Sequence, residues 1–155
     1  MNGQWRHLPP PARSVAVAAS AAVTAAQRRD PAALTTAVAA LAALDSEQTG
    51  LVLGTVVRLL LEQTHPDGLD GEDIRDVLER SVRESAEWQP DTDPDLMLVL
   101  LAGALGVADP EATTPTPETT ARHAALLVAD LLDGRPVDDQ LTRAFHEIER
   151  SQVND

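Results

Sequence analysis

Residues 45–65 read DSEQTGLVLGTVVRLLLEQTH, and this stretch decides the fold that the sequence predicts. Between Gly50 and Leu61 the only charged residue is Arg58, so no polar face is left. A helix that is apolar nearly all round is typical of the interior of a globular protein. We therefore predict a central apolar helix over residues 47–63, with the other helices packed around it.

The composition of the chain favours a single all-α domain without a sheet. Its 155 residues are 43% hydrophobic, drawn mainly from Ala, Leu and Val, and the only aromatic residues are Trp5, Trp88 and Phe145. Strands favour β-branched and aromatic residues, which are scarce here outside Val. A chain of this length forms one domain that buries roughly 70% of the surface exposed by the unfolded chain.

Helical spacing of apolar residues and capping residues divide the chain into about seven helices. Asp30-Pro31 and Asp93-Pro94 are typical helix starts, because Asp caps the free amides and Pro suits the first turn. The predicted helices span residues 12–29, 31–44, 47–63, 71–88, 94–105, 117–132 and 137–151. The single helical domain, residues 12–151, lies between an extended Pro-rich arm over 1–11 and a frayed tail over 152–155, and it includes a flexible loop over 108–116.

The first two predicted helices, residues 12–44, form an Ala-rich hairpin. Burial stabilises by roughly 25 cal/mol per Å², so an Ala face anchors a helix more weakly than a Leu face. We therefore expect helix 1 to be mobile, exchanged between chains or dependent on a partner. Gly50 and Gly54 lie four residues apart on helix 3, which predicts a close crossing with helix 1 or helix 2.

The charge of the chain is strongly negative and unevenly distributed. The net charge is −13; residues 1–44 hold four Arg and one Asp, whereas residues 45–155 hold eight Arg and twenty-four acidic residues. Such a surface repels phosphate backbones and anionic lipid heads, and few aromatic side chains are present to stack on bases. We expect no nucleic-acid or membrane partner, and instead a protein partner or a homodimer. The basic N-terminal segment has the charge to dock on the acidic remainder of its own chain or of a partner.

The sequence also predicts a cytoplasmic protein. Its longest apolar runs, residues 50–61 and 96–108, hold 12 and 13 residues, whereas a bilayer span takes roughly 20. The chain has no Cys, which excludes disulfides and thiolate metal sites. Residues 14–26 approach the pattern of a signal-peptide core, but they include Ser and Thr and follow three prolines. All twelve basic residues are Arg, which indicates a GC-rich bacterial genome.

Two segments carry residue types used in metal sites, but neither has the required spacing. The acidic turn over residues 65–73 fails the pattern of a calcium-binding EF-hand loop in both registers that place a Gly at the sixth position. Residues 146–150, HEIER, begin like the zinc motif HExxH, but Arg150 stands where the second His is required. We therefore predict no metal, no cofactor and no catalytic residue.

His123 lies in predicted helix 6, with Asp130 two turns further on. We expect this His to be buried or half-buried, with a backbone carbonyl as its hydrogen-bond partner. General-base catalysis would need a nucleophile or a cleft nearby, and the sequence locates neither. No GxSxG, P-loop or dinucleotide-binding motif occurs.

Three hypotheses of function follow, and the sequence favours the first. The first is a non-catalytic module that binds a protein or itself, through the Ala-rich N-terminal helices or the acidic helix 4. The second is a helical bundle that binds a small molecule in a cavity lined by Leu, Val and Met. This second hypothesis requires a cavity of roughly 300 Å³ or more with converging polar groups. The third is an enzyme that uses His123 or His146, with both histidines lining one cleft beside an acid.

Overall fold

The computed structural model describes residues 5–107, 111 and 115–154. Within these ranges the chain forms seven α-helices and no strand, which confirms the predicted all-α class. Of the described helices, none combines the length and hydropathy needed to cross a bilayer. The helices, α1 to α7, span Pro10–Gln27, Pro31–Ala42, Ser46–Thr64, Gly71–Ala86, Pro94–Ala104, Pro117–Leu132 and Asp138–Asn154.

Capping side chains fix where several helices begin. The Asp30 carboxylate, the Asp93 carboxylate and the Thr116 hydroxyl each accept a hydrogen bond from a backbone N–H in the first turn of α2, α5 and α6. At the start of α4, Asp70 and Asp73 exchange side-chain to backbone hydrogen bonds of 2.8 and 3.0 Å. The hydrogen bond from the Asp73 amide lowers the pKa of the Asp70 carboxyl. These caps satisfy amides that the helices themselves leave unpaired.

Helices α3 and α6 both lie in the interior of the bundle. Helix α6 packs against α1, α2, α3, α4 and α5, and α3 packs against α1, α5, α6 and α7. As predicted, α3 buries Leu53, Val57 and Leu60, but its Leu51 is 51% exposed. That residues 47–63 form the centre of the bundle stays a prediction.

Helix α1 lies in the core along most of its length. Its buried residues are Val15, Ala16, Ala18, Ala19, Ala22, Val23, Ala25 and Ala26. The Ser20 hydroxyl donates to the Asp138 carboxylate of α7 at 2.7 Å. Just beyond the helix, Arg29 contacts Glu84 of α4 at 3.0 Å. The apolar face of α1 is thus buried within its own chain. Arg29, at the basic end of the helix, also has its ion-pair partner within the chain.

The described end of the predicted arm over residues 1–11 is a turn that packs on the core. Trp5 is 3% exposed, its ring lies 6.4 Å from the ring of Phe145, and the Leu8 amide donates to the Trp5 carbonyl at 3.1 Å. Helix α1 already begins at Pro10, because a proline in the first turn lacks only an N–H that would have no partner there.

The two other segments predicted to be flexible are described in part. Within the predicted loop over 108–116, residues 108–110 and 112–114 lie outside the described residues. Helix α7 continues to Asn154, where the sequence predicts a frayed tail over 152–155. No Gly or Pro follows Ser151 to end the helix earlier.

Candidate functional site: a cavity beside the glycines of α3

An apolar cavity of about 530 Å³ lies between α2, α3, α5 and α6. Most of its wall is made of Leu, Val, Ala, Pro and Gly, and none of the described residues that line it is charged. Helix α3 contributes Ser46, Thr49, Gly50, Leu53, Gly54 and Val57. Pockets that bind small molecules are commonly apolar spaces of roughly 300–1,000 Å³, so this volume suits a small ligand.

Three glycines, which we call the glycine wall, leave part of this cavity without side chains. They are Gly50 and Gly54 of α3 and Gly103 of α5, and a Cβ added to any of them would meet no atom within 4 Å. This corrects the prediction that Gly50 and Gly54 mark a close helix crossing, because no neighbouring backbone approaches them. A helical Gly reduces stability by roughly 1 kcal/mol relative to Ala, so the glycine wall weakens both helices without allowing closer packing.

Two threonine hydroxyls of the cavity wall have no hydrogen-bond partner in the described structure. They belong to Thr49 of α3, which is 8% exposed, and Thr120 of α6, and both oxygen atoms are buried. The helical residues Thr55 and Thr142 instead donate to the carbonyl four residues earlier, at 2.7 and 3.1 Å. Because both oxygens are buried, they do not face the open space of the cavity in the orientations that the structure shows.

A second cleft, of about 480 Å³, lies between α3, α5 and α7 and is also bordered by the glycine wall. This cleft is polar at one end, where Arg58 contacts Glu62 at 3.2 Å and Glu147 at 3.3 Å. The glycine wall therefore borders an apolar cavity and a more polar cleft. Only the apolar cavity contains unpartnered buried hydroxyls.

The structure does not bring His123 and His146 into one cleft. His123 is fully buried: its Nε2 accepts a hydrogen bond from the Asp93 amide at 2.9 Å, and its Nδ1 donates to the Thr119 carbonyl at 2.8 Å. Burial lowers the pKa of His123, so the neutral ring that these bonds require is favoured. His146 is exposed on α7 in a surface cleft that His123 does not line. The catalytic hypothesis therefore has no shared site.

The acidic segments considered for metal binding use their carboxylates in local contacts. Asp70 and Asp73 of the turn over 65–73 cap α4, as described above. In the HEIER segment, Glu147 contacts both Arg150 and Arg58. Across the described part of the chain, no three His, Asp or Glu side chains are grouped as metal ligands.

The Ala-rich hairpin presents a shallow surface groove between α1 and α2. Ala21, Ala33 and Ala40 line it, together with Val17, which is 38% exposed. This groove is the surface that self-association through the N-terminal helices would use. Small apolar side chains alone do not indicate which partner, if any, would cover it.

No protein-family model matches the chain, and no curated protein or solved structure matches it either. The functional conclusion therefore depends on the cavity. The sequence offered a Leu-, Val- and Met-lined cavity as its second hypothesis and did not single out Thr49 or Thr120. No Met is among the described residues of the lining.

Proposed function

We propose that this protein binds a small, largely apolar molecule in the cavity between α2, α3, α5 and α6. The observation that carries the proposal is an apolar space of about 530 Å³ whose described lining holds no charged side chain. A bound molecule would remove apolar surface from water, at roughly 25 cal/mol per Å².

The glycine wall lies at the open side of this space. Gly50 and Gly103 are exposed and Gly54 is half-buried, and an added Cβ at any of them would meet no atom within 4 Å. Side chains at these positions would narrow the entry to the apolar space. Gly lowers helix stability relative to Ala, and here it leaves the space accessible to a ligand.

Binding of the uncharged fluorescent probe N-phenylnaphthylamine tests the proposal. We expect saturable binding with one site per chain, and at least roughly tenfold weaker binding by Gly54→Leu, whose side chain occupies the cavity region. The matched control is Gly71→Leu, because Gly71 also has space for a Cβ but lies in the first turn of α4, away from the cavity. Circular dichroism confirms that both variants fold.

Two results would contradict this proposal. Wild-type protein that gives no saturable fluorescence increase has no such binding site. Equal affinities of the wild type and Gly54→Leu would place the probe elsewhere on the molecule.

We also keep self-association through residues 12–44 as an alternative proposal, supported by the exposed Val17 in the α1–α2 groove. Gel filtration of the wild type and of Ala21→Arg tests it, because Ala21 is exposed in that groove. A dimer that Ala21→Arg converts to a monomer supports the alternative. A wild-type monomer at concentrations of roughly 100 μM removes it.

A further inference from the structure

We infer that the hydrogen bond from the Asp93 amide to His123 holds α5 in place as a wall of the apolar cavity, and that protonation of His123 releases α5 and weakens ligand binding. This inference rests on the proposed function, since it concerns the regulation of the same cavity. Helix α5 contributes four residues to the lining, namely Val99, Leu100, Gly103 and Ala104. A shift of α5 would therefore change the space that a ligand occupies.

Helix α5 is held by little buried apolar surface, although its sequence is almost wholly apolar. Its buried residues are Leu96, Met97 and Leu101, the fewest of the four helices that line the cavity. Its Leu98 is 45% exposed. Elements with few buried contacts open at a lower free energy than the rest of a core. Helix α5 is thus the wall of the cavity that moves most readily.

One side-chain hydrogen bond joins the start of α5 to another helix. The amide of Asp93, the residue that caps α5, donates to Nε2 of His123 on α6 at 2.9 Å. Among the described residues, no other side-chain hydrogen bond and no ion pair connects Asp93 or α5 to another helix. Because Nδ1 of the ring donates to the Thr119 carbonyl at 2.8 Å, Nε2 is an acceptor only while the ring is neutral.

Protonation of His123 replaces this acceptor with a second N–H. Two donors then face each other beside a buried charge, and movement of the start of α5 away from α6 relieves both. Two charged groups act on the ring: Arg122 disfavours its protonation, and the Asp93 carboxylate favours it. The Arg80–Asp130 ion pair between α4 and α6 lies two turns further along α6. Burial has the largest effect and lowers the pKa of His123 below 6.5, so release requires weak acid.

The affinity for N-phenylnaphthylamine between about pH 5 and pH 7.5 tests this inference. In the wild type, the Kd should be constant above pH 6.5 and should rise below the folded pKa of His123 by up to about tenfold per pH unit, the slope for one proton. In His123→Gln the amide oxygen accepts from Asp93 without titrating, so the Kd should stay constant. The matched control is His146→Gln, which changes an exposed histidine outside the cavity and should keep the pH dependence of the wild type.

Hydrogen exchange of the backbone amides measures the release of α5 without any ligand. At about pH 5.5 the α5 amides should exchange faster in the wild type than in His123→Gln, and by a larger factor than the amides of α1. Both proteins are compared at one pH, since exchange itself depends on pH. If His123→Gln does not fold, the exchange of α5 relative to α1 in the wild type, followed across the same pH range, serves instead.

The outcomes separate this inference from the proposed function. The same rise in Kd for the wild type and His123→Gln overturns the inference, as does a Kd that stays constant until circular dichroism shows unfolding. Exchange that increases by equal factors at α5 and α1 also overturns it, because the whole chain then opens together. If the wild type binds no probe at any pH, the proposed function fails and the regulation of binding fails with it. Faster exchange confined to α5 would then still support its release by protonation.

Discussion

His123 is the residue whose protonation matters most to the fold. Its Nε2 accepts the Asp93 amide hydrogen at 2.9 Å, which ties α6 to the residue that caps α5. An imidazolium ring has no free acceptor, so protonation would break this bond and place a charge in the core. Burial lowers the pKa of His123 below its ordinary value of 6.5, and the nearby charge of Arg122 lowers it further.

This histidine predicts a loss of stability in weak acid. Because the pKa of His123 is lower in the folded chain, the unfolded chain binds more protons below pH 6.5. The contribution is therefore complete above pH 6.5 and is lost as the pH falls toward the lowered folded pKa. In His123→Gln the amide oxygen accepts from Asp93 without titrating. Urea midpoints between about pH 5 and pH 7.5 should fall less steeply for this variant than for the wild type.

If the urea midpoints of His123→Gln and of the wild type fall by the same amount across this pH range, groups other than His123 set the pH dependence.

The sequence near His123 predicts only part of the surroundings of this side chain. The Ala and Leu residues around His123 indicated burial, and its carbonyl partner, Thr119, lies one turn away in the same helix. Its second partner, Asp93, is 30 residues distant and depends on how the loop before α5 folds. For the same reason, the missing hydrogen bonds of Thr49 and Thr120 follow from the packing of several helices and leave no trace in the sequence.

Among the helices, α1 shows how small side chains can anchor an element. An Ala face buries little area per residue, but it lets neighbouring helices approach closely, and here α2, α3, α6 and α7 all pack against α1. Ala22 is fully buried in this arrangement. No free volume for a larger side chain is expected at such a position, since protein cores are close-packed.

Overpacking tests whether α1 belongs to the core in solution. Ala22→Leu should reduce the free energy of unfolding by roughly 1–3 kcal/mol, because the added atoms force the packed helices apart. Ala21→Leu, the next residue on the exposed face, should change it by less than about 0.5 kcal/mol. Urea denaturation measures both. Equal stability of the two variants would instead support the mobile helix 1 that the sequence predicts.

The residues at which helices begin could be predicted, because neighbouring residues in the sequence determine them. The way in which the helices pack could not. The Asp-Pro starts at residues 30 and 93 are read directly from the chain and lie where the structure has them. Which helix occupies the centre depends on how many neighbours each face can admit. The apolar composition of α3 predicts a central position for it, but α6, which is less uniformly apolar, packs against more of the described helices.

Across the whole molecule, ion pairs join helices that are distant in sequence. Arg29 pairs with Glu84, Arg58 with Glu147, and Arg80 with Asp130, which link the end of α1 to α4, α3 to α7, and α4 to α6. Exposed pairs of this kind contribute roughly 0–1 kcal/mol each, so burial of the apolar core remains the main source of stability. The apolar space between α2, α3, α5 and α6 reduces this burial, so a molecule that fills it should stabilise the fold.

Thermal unfolding measures the effect of a ligand on stability. N-phenylnaphthylamine at about a hundred times its Kd should stabilise the wild type by roughly 2.7 kcal/mol, which raises the Tm by about 5–10 °C for a domain of this size. Gly54→Leu should have a higher Tm than the wild type without any ligand, because it removes a helical Gly and adds apolar contacts, and its Tm should not respond to the probe. A variant that is stabilised and still responds would mean that the ligand binds outside the cavity. A destabilised variant would mean that the space beside Gly54 is needed for folding, and not for a ligand.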